Sequence, residues 1–205
     1  MGTYFNPDNE SFRKAVRSKI YVDKTGLLEE LNQMIGTEGN CVAISHARRF
    51  GKSQAAGMID AYYSMGSDSK ELFSSYEISR ESDFEEHLNK YNVIHLDVSS
   101  FTDCYKEDLV QNIWNILYDE LHADYPDIED KSKPIGTVLM QVYRKSGKPF
   151  VIIIDEWDCV VRNHADRPEL VHEYLQFLHS LFKSEESKRF LALGYITGIL
   201  PVKKI

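Results

Sequence analysis

The sequence predicts an α/β protein with a mainly parallel central sheet. Short apolar segments alternate with amphipathic helical segments along the 205-residue chain. One apolar segment, residues 149–155, is rich in β-branched residues, which suits a central strand covered on both faces. Another apolar segment leads into a Gly-Lys-Ser tripeptide and then into a helical pattern. Strands that alternate with helices in this way pair in parallel, because each helix returns the chain across the sheet.

The composition is that of one soluble globular domain and excludes several other classes. Hydrophobic residues make up 42% and charged residues 27%, and the net charge of −8 argues against a large nucleic-acid interface. Cys41, Cys104 and Cys159 lie far apart, which argues against a zinc site and is typical of free thiols in a reducing compartment. The N-terminus has no signal-peptide pattern, and no apolar stretch approaches the roughly 20 residues of a membrane span. We therefore expect a cytoplasmic protein without a membrane partner.

The first third of the chain predicts two helices, a strand and a third helix. Residues 11–18 and 24–34 have helical patterns, and Asp23 is placed to cap the second helix. Cys41–Ser45 is a short apolar segment of strand type. After Gly51, apolar residues recur at helical spacing. This order of strand, loop and helix contains the first half of the predicted functional site, the phosphate-binding loop that is described below.

The remaining two thirds predict three more strands separated by helices. The strands are residues 91–98, 149–155 and 189–196, and the helices are residues 109–121, 135–145 and 171–182. Gly147 is placed to end the helix that precedes the third strand. The acidic segment 124–130 contains a proline, so we expect it to form a surface loop.

The loop after the first strand matches most of the phosphate-binding pattern Gly-x-x-x-x-Gly-Lys-Ser/Thr. Gly51, Lys52 and Ser53 match, whereas His46 replaces the first glycine. In this pattern backbone N–H groups surround the phosphates, the lysine neutralises them, and the hydroxyl binds Mg²⁺. The tripeptide alone also fits a basic turn that starts a helix, but its place between strand and helix favours a phosphate site. The predicted nucleotide-binding residues are Arg48, Arg49, Phe50, Gly51, Lys52, Ser53 and Gln54.

The carboxylates after the third strand form the second half of the predicted site. Ligands bind at the carboxyl ends of strands in open α/β sheets. We expect Asp155 to hold Mg²⁺ through a water and Glu156 to orient or deprotonate the attacking water. Asp158 adds a third carboxylate, which could bind Arg162. Thr197 ends the fourth strand and would sense the γ-phosphate if that strand lies beside Asp155.

Four segments together resemble the bacterial AAA-ATPase-like proteins, many of which carry a PD-(D/E)XK nuclease-like domain after the ATPase. These segments are Tyr21-Val22-Asp23-Lys24-Thr25, Arg48-Arg49-Phe50-Gly51-Lys52-Ser53, Ile153-Ile154-Asp155-Glu156-Trp157-Asp158 and Thr197-Gly198-Ile199-Leu200-Pro201. They occur in the expected order across nearly the whole chain. In that family the loop commonly begins Arg-Pro-Arg-Arg, so His46-Ala47 replaces the Arg-Pro part.

The resemblance implies a three-layer P-loop NTPase fold that binds ATP and Mg²⁺. Residues 1–39 would form an N-terminal helical segment and residues 40–205 the nucleotide-binding core. Lys52 and Ser53 would bind phosphate and Mg²⁺, Asp155 would be the magnesium aspartate, and Glu156 the catalytic glutamate.

The number of predicted strands bears on whether the sheet is complete. ATPases of this type usually have five parallel strands, with the last one beside the phosphate-loop strand. With four, Cys41–Ser45 would be an apolar sheet edge, which favours association, including homo-oligomers. We therefore expect a fragment truncated after its fourth strand, with an arginine finger, a second sensor and any nuclease-like domain beyond Ile205. Nucleic acid would be a partner only through that missing domain.

Three classes of function remain open at this point. The leading interpretation is an ATPase that uses Lys52, Ser53, Asp155 and Glu156. The second is a nucleotide-gated switch or scaffold with little turnover, which the altered start of the loop makes credible. The third is a P-loop kinase, against which Glu156 argues, because an activated water is undesirable in a kinase. A nuclease activity within these residues is not expected, since the chain lacks the required Asp and Glu-x-Lys strand pair.

Overall fold

A four-stranded parallel sheet organises the protein, as the sequence predicts. The structure is a computed structural model that describes residues 2–47, 50–105 and 107–201. Within those residues the strands are β1 (Cys41–Ser45), β2 (Asn92–Asp97), β3 (Phe150–Asp155) and β4 (Leu191–Gly198). Their order across the sheet is β1-β4-β3-β2, and every neighbouring pair is parallel.

Eleven α-helices and one short 3-10 helix occur in the described residues. The helices before β2 are α1 (Glu10–Val16), α2 (Gly26–Met34), α3 (Lys52–Tyr63), α4 (Lys70–Phe73), the 3-10 helix (Glu77–Arg80) and α5 (Phe84–His87). The later ones are α6 (Val98–Cys104), α7 (Leu109–Asp124), α8 (Ile135–Ser146), α9 (Cys159–Asn163), α10 (Pro168–Phe182) and α11 (Ser187–Phe190). No helix in this part of the chain combines the length and apolar character needed to cross a membrane.

The helices cover the sheet on both faces, which gives three layers. Alternate residues of β3 point to opposite faces: Val151 and Ile153 pack with α1, α2 and α3, whereas Ile152 and Ile154 pack with α7, α8 and α10. All residues of β3 and β4 are buried. This burial on both faces explains the continuous apolar sequence of β3.

The first strand occupies an edge of the sheet. Among the described residues β1 pairs only with β4, and its residues alternate between exposed and half-buried. Val42 and Ile44 pack against the α3 side, while Cys41, Ala43 and Ser45 are exposed. The expected apolar edge is therefore only partly apolar.

Two local predictions need correction. The predicted strand at 91–98 ends at Asp97, because the Asp97 carboxylate accepts a hydrogen bond from Ser99 N at 3.0 Å and caps α6. Asp23 was expected to cap the second helix, but that helix begins at Gly26 with Thr25 as its N-cap. The Asp23 carboxylate accepts instead from Thr25 N and from Glu77 N, at 2.8 and 3.2 Å.

Candidate functional site

The predicted phosphate loop connects the carboxyl end of β1 to the start of α3. His46 N donates to the Gly198 carbonyl at 3.1 Å, which ties the beginning of the loop to the end of β4. At the other end, Gly51 is the N-cap of α3 and has a φ of 77°, a left-handed conformation that favours glycine. Arg48 and Arg49, two of the predicted nucleotide-binding residues, lie outside the described residues.

The Lys52 side chain folds back onto this loop. Its Nζ donates to the carbonyl oxygens of His46 and Ala47, at 2.9 and 3.1 Å, and the residue is only 8% exposed. The ammonium group is thus hydrogen-bonded to two carbonyl oxygens at the start of the loop. Ser53 and Gln54 follow in the first turn of α3, and both are exposed. The first turn of a helix directs free N–H groups and a positive dipole end towards an anion.

Asp155, Glu156 and Thr197 lie in direct contact at the ends of β3 and β4. Asp155 is 2% exposed, and its Oδ1 accepts from the Thr197 hydroxyl and from Glu156 N, the latter at 3.0 Å. Thr197 is fully buried, and its Oγ1 also lies 3.4 Å from Glu156 N. The fourth strand lies beside the strand that carries Asp155, since Ile154 pairs with Ile196, so the condition set for a role of Thr197 is met.

Glu156 occupies a strained turn immediately after the strand. Its φ of 52° places it in the left-handed region, which costs an L-residue with a side chain about 1–2 kcal/mol. The next residue, Trp157, donates its N–H to the Thr197 carbonyl at 2.9 Å, so β4 fixes the backbone on that side of Glu156. Such strain is concentrated at functional sites, where surrounding contacts maintain it.

Ion pairs of Arg162 with Asp158 and Glu156 stabilise this turn. Arg162 Nε donates to Asp158 Oδ2 at 2.8 Å, the pairing that the sequence suggested, and Arg162 Nη2 lies 3.4 Å from Glu156 Oε2. Asp158 is fully buried and also accepts from Ile199 N and Leu200 N, at 3.2 and 2.9 Å. Arg162 therefore links the predicted catalytic glutamate to the chain that leaves β4.

The sheet brings the loop and the carboxylates together where the carboxyl ends of its strands lie, which we call the carboxyl edge of the sheet. Ser45 pairs with Gly198, and all four strands run in the same direction, so the loop and Asp155 both follow carboxyl ends. The strand β4 separates β1 from β3, which corresponds to about 10 Å between the two halves of the site. Thr197 lies on the strand between them.

The residues present fit a magnesium–nucleotide complex. Both hydrogen bonds that the described residues make to the Asp155 carboxylate end on Oδ1, which leaves Oδ2 for a metal-bound water. The Ser53 hydroxyl is exposed in the first helical turn, where this oxygen donor suits Mg²⁺. By contrast, a cleft of about 710 Å³ lies at the amino ends of β1 and β4, lined by residues that include Asn40, Phe182 and Lys183. That cleft is at the opposite edge from the loop and the carboxylates.

Two specific contacts near the site were not predicted. Lys24 Nζ donates to the Phe50 carbonyl at 3.4 Å, although the two residues are 26 positions apart. In addition, His95 Nδ1 on β2 lies 2.5 Å from Asp60 Oδ2 on α3, and His95 Nε2 is buried without a hydrogen-bond partner in the described residues. Of the two, only the contact of Lys24 had any indication in the sequence, because Lys24 lies in segment 21–25, one of the four segments that resemble the family.

Burial and the neighbouring carboxylates shift the pKa of His95. Burial is the largest single effect and lowers the pKa of His95, but the carboxylates of Asp60, Asp155 and Asp97 raise it, and together they outweigh burial. The net result is a His95 pKa above its ordinary value. When His95 is protonated, it forms a partly buried ion pair with Asp60.

Comparison with known proteins identifies the family of the chain. The profile of the family described as "Predicted AAA-ATPase" matches residues 9–205. The chain is also 22% identical over 189 residues to the "Uncharacterized protein in vnfD 5'region" of Azotobacter chroococcum mcd 1. That match covers 90% of this chain but 34% of the relative, so the chain spans about a third of the relative's length. Since the family match covers nearly the whole chain, the protein belongs to the predicted AAA-ATPase family.

Proposed function

We propose that this domain binds ATP with Mg²⁺ and hydrolyses the β–γ phosphoanhydride bond. The single observation that carries the proposal is the arrangement at the carboxyl edge of the sheet. There the loop that contains Lys52 faces the same edge as the contacting group of Asp155, Glu156 and Thr197. A phosphate loop and two carboxylates, one at the end of a buried strand and one directly after it, are among the parts that P-loop hydrolysis uses.

Lys52 and the start of α3 would bind the phosphates. A triphosphate replaces the His46 and Ala47 carbonyls as the partner of Lys52 Nζ, and an ionised oxygen forms a stronger hydrogen bond than a carbonyl does. Gly51 allows the backbone to turn into the helix at a φ of 77°. The N–H groups of Lys52 and Ser53 then face the anion at the positive end of the helix.

Ser53 Oγ and, through a water, Asp155 would hold Mg²⁺. When bound there, Mg²⁺ draws charge from the β- and γ-phosphate oxygens. The Thr197 hydroxyl donates a hydrogen bond to Asp155 Oδ1 and so keeps that carboxylate in one orientation. Because Thr197 lies on the strand between the loop and Asp155, its hydroxyl would lie near the γ-phosphate of a nucleotide bound at the loop.

Glu156 would accept a proton from the attacking water. The strained backbone at Glu156 is held by Trp157 N and by the Asp155 carboxylate, so the position of this backbone is set independently of the nucleotide. For the carboxylate to act as a base, Glu156 Oε2 must separate from Arg162 Nη2, which lies 3.4 Å away. A well-placed base contributes about 10²–10⁴ to the rate.

The test is phosphate release by purified protein in the presence of Mg²⁺. Glu156→Gln should bind ATP as the unmodified protein does and release phosphate at least about 100-fold more slowly. Glu38→Gln is the matched control, because Glu38 is an exposed glutamate that lines the cleft at the amino ends of β1 and β4, opposite the site. Equal turnover in Glu156→Gln and Glu38→Gln would refute the role of Glu156.

A nucleotide-binding switch with little turnover is the second candidate. The observation that favours it is the contact of Arg162 with Glu156, which engages the proposed base in an ion pair. Titration of ATP by calorimetry, followed by a turnover assay on the same sample, separates the two functions. Tight binding without phosphate release supports the switch, and steady phosphate release excludes it.

A further inference from the structure

A lysine outside the phosphate loop reaches the loop where α3 begins. Lys24 Nζ donates to the Phe50 carbonyl at 3.4 Å. It also lies 2.8 Å from the position that a Cβ atom would take at Gly51. The ammonium group of Lys24 is therefore beside the first N–H groups of α3, where the proposed function places the nucleotide.

The residues on either side of Lys24 hold its backbone in place. Asp23 accepts from Thr25 N at 2.8 Å and from Glu77 N at 3.2 Å. Thr25 is fully buried, and its hydroxyl oxygen accepts from Ile78 N at 3.3 Å. The two polar neighbours of Lys24 thus fasten this segment to the 3-10 helix, which leaves the Lys24 side chain directed to the loop.

Within the described residues Lys24 has no ion-pair partner. No carboxylate there lies within 4.0 Å of its Nζ, and the residue is exposed. The contact with a carbonyl of the loop is the same kind of contact that Lys52 makes with His46 and Ala47. Both lysines therefore carry a positive charge that backbone carbonyls satisfy only weakly compared with a phosphate oxygen.

We propose that Lys24 is a second phosphate-binding lysine, which contacts the phosphates that ATP and ADP share. This inference rests on the proposed function, because it requires a nucleotide at the loop. The γ-phosphate belongs at the other side of the site, beside Asp155 and Thr197, and the described contacts of Lys24 are with Phe50 and the vicinity of Gly51. Lys24 is accordingly a binding residue that contributes equally before and during hydrolysis.

The test compares three variants by calorimetric titration with ATP and with ADP. Lys24→Met keeps the length of the side chain and removes its charge, whereas Lys24→Arg keeps the charge. Lys19→Met is the matched control, because Lys19 is an exposed lysine on the same connecting segment. Lys24→Met should lower the affinity for ATP and the affinity for ADP by about tenfold each, which corresponds to about 1.4 kcal/mol of binding free energy. Lys24→Arg should recover most of that affinity, and Lys19→Met should bind as the unmodified protein does.

The kinetic result separates binding from catalysis. Lys24→Met should raise KM for ATP and leave kcat unchanged, because a contact that is equal in ground state and transition state affects only KM. Unchanged affinity for both nucleotides in Lys24→Met, or a loss confined to ATP, overturns the inference while the proposed function stands. If the unmodified protein and Lys19→Met bind no nucleotide, the proposed function fails and the inference fails with it.

Discussion

Thr197→Val tests the contact on which the carboxylate half of the site depends. Thr197 is fully buried, and its hydroxyl donates to Oδ1 of the nearly buried Asp155. Valine has the same shape as threonine, so the substitution creates no cavity but leaves Asp155 Oδ1 with Glu156 N as its remaining described donor. A hydrogen bond to a charged group contributes about 1.5–3 kcal/mol to stability, so we expect Thr197→Val to lower the free energy of unfolding by about 2 kcal/mol.

Thermal unfolding followed by circular dichroism measures this loss. For a domain of this length, 1 kcal/mol corresponds to about 2–4 °C, so Tm should fall by roughly 4–8 °C in Thr197→Val. Thr137→Val is the control, because Thr137 is a half-buried helical threonine whose hydroxyl has no hydrogen bond in the described residues. A Tm for Thr197→Val that equals those of Thr137→Val and the unmodified protein would refute the reasoning.

Three further predictions concern the charge, the backbone and the strain at the site. The His95–Asp60 pair should stabilise the protein fully below about pH 6.5, and this contribution should be lost as pH rises through the raised pKa of His95. In urea unfolding, the stability advantage of the unmodified protein over His95→Gln should therefore shrink above that pH. Gly51→Ala and Gly147→Ala should each cost about 1–2 kcal/mol, because both glycines have a positive φ, of 77° and 66°. Only Gly51→Ala should also weaken ATP binding, measured by calorimetry. Glu156→Asn and Glu156→Gln should both lose phosphate release, but Glu156→Asn should unfold at the higher temperature, because asparagine tolerates the left-handed region.

Each of these predictions has an outcome that contradicts it. A stability difference between the unmodified protein and His95→Gln that stays constant or grows above pH 6.5 would exclude the partly buried ion pair. Equal loss of ATP affinity in Gly51→Ala and Gly147→Ala would show that general destabilisation, not the loop, causes the loss. If Glu156→Asn unfolds at or below the temperature of Glu156→Gln, the backbone at residue 156 is not strained as described.

The sheet could be predicted because its signals are local in the sequence. The β-branched segment of β3 identifies a strand buried on both faces, and Gly147 ends α8 as expected. The alternation of strands and helices then gives a parallel sheet. Three short helices, α6, α9 and α11, were missed because each lies within a few residues of a strand and is too short to show a helical period.

The finer geometry of the site depends on contacts between distant residues. The position of Lys24 follows from hydrogen bonds between Asp23 and Glu77 and between Thr25 and Ile78, which no local pattern reveals. Similarly, nothing in the spacing of the histidines indicates that His95 faces Asp60 across the interface of β2 and α3. Such pairings are set by tertiary packing, so they become visible only once the fold is known.

The most direct test of the account is a structure of the protein with a non-hydrolysable ATP analogue and Mg²⁺. The account predicts that Lys52 Nζ leaves the His46 and Ala47 carbonyls for the phosphates and that Ser53 and Asp155 lie at the metal. A nucleotide bound in the cleft beside Phe182, with Lys52 still on the two carbonyls, would contradict it.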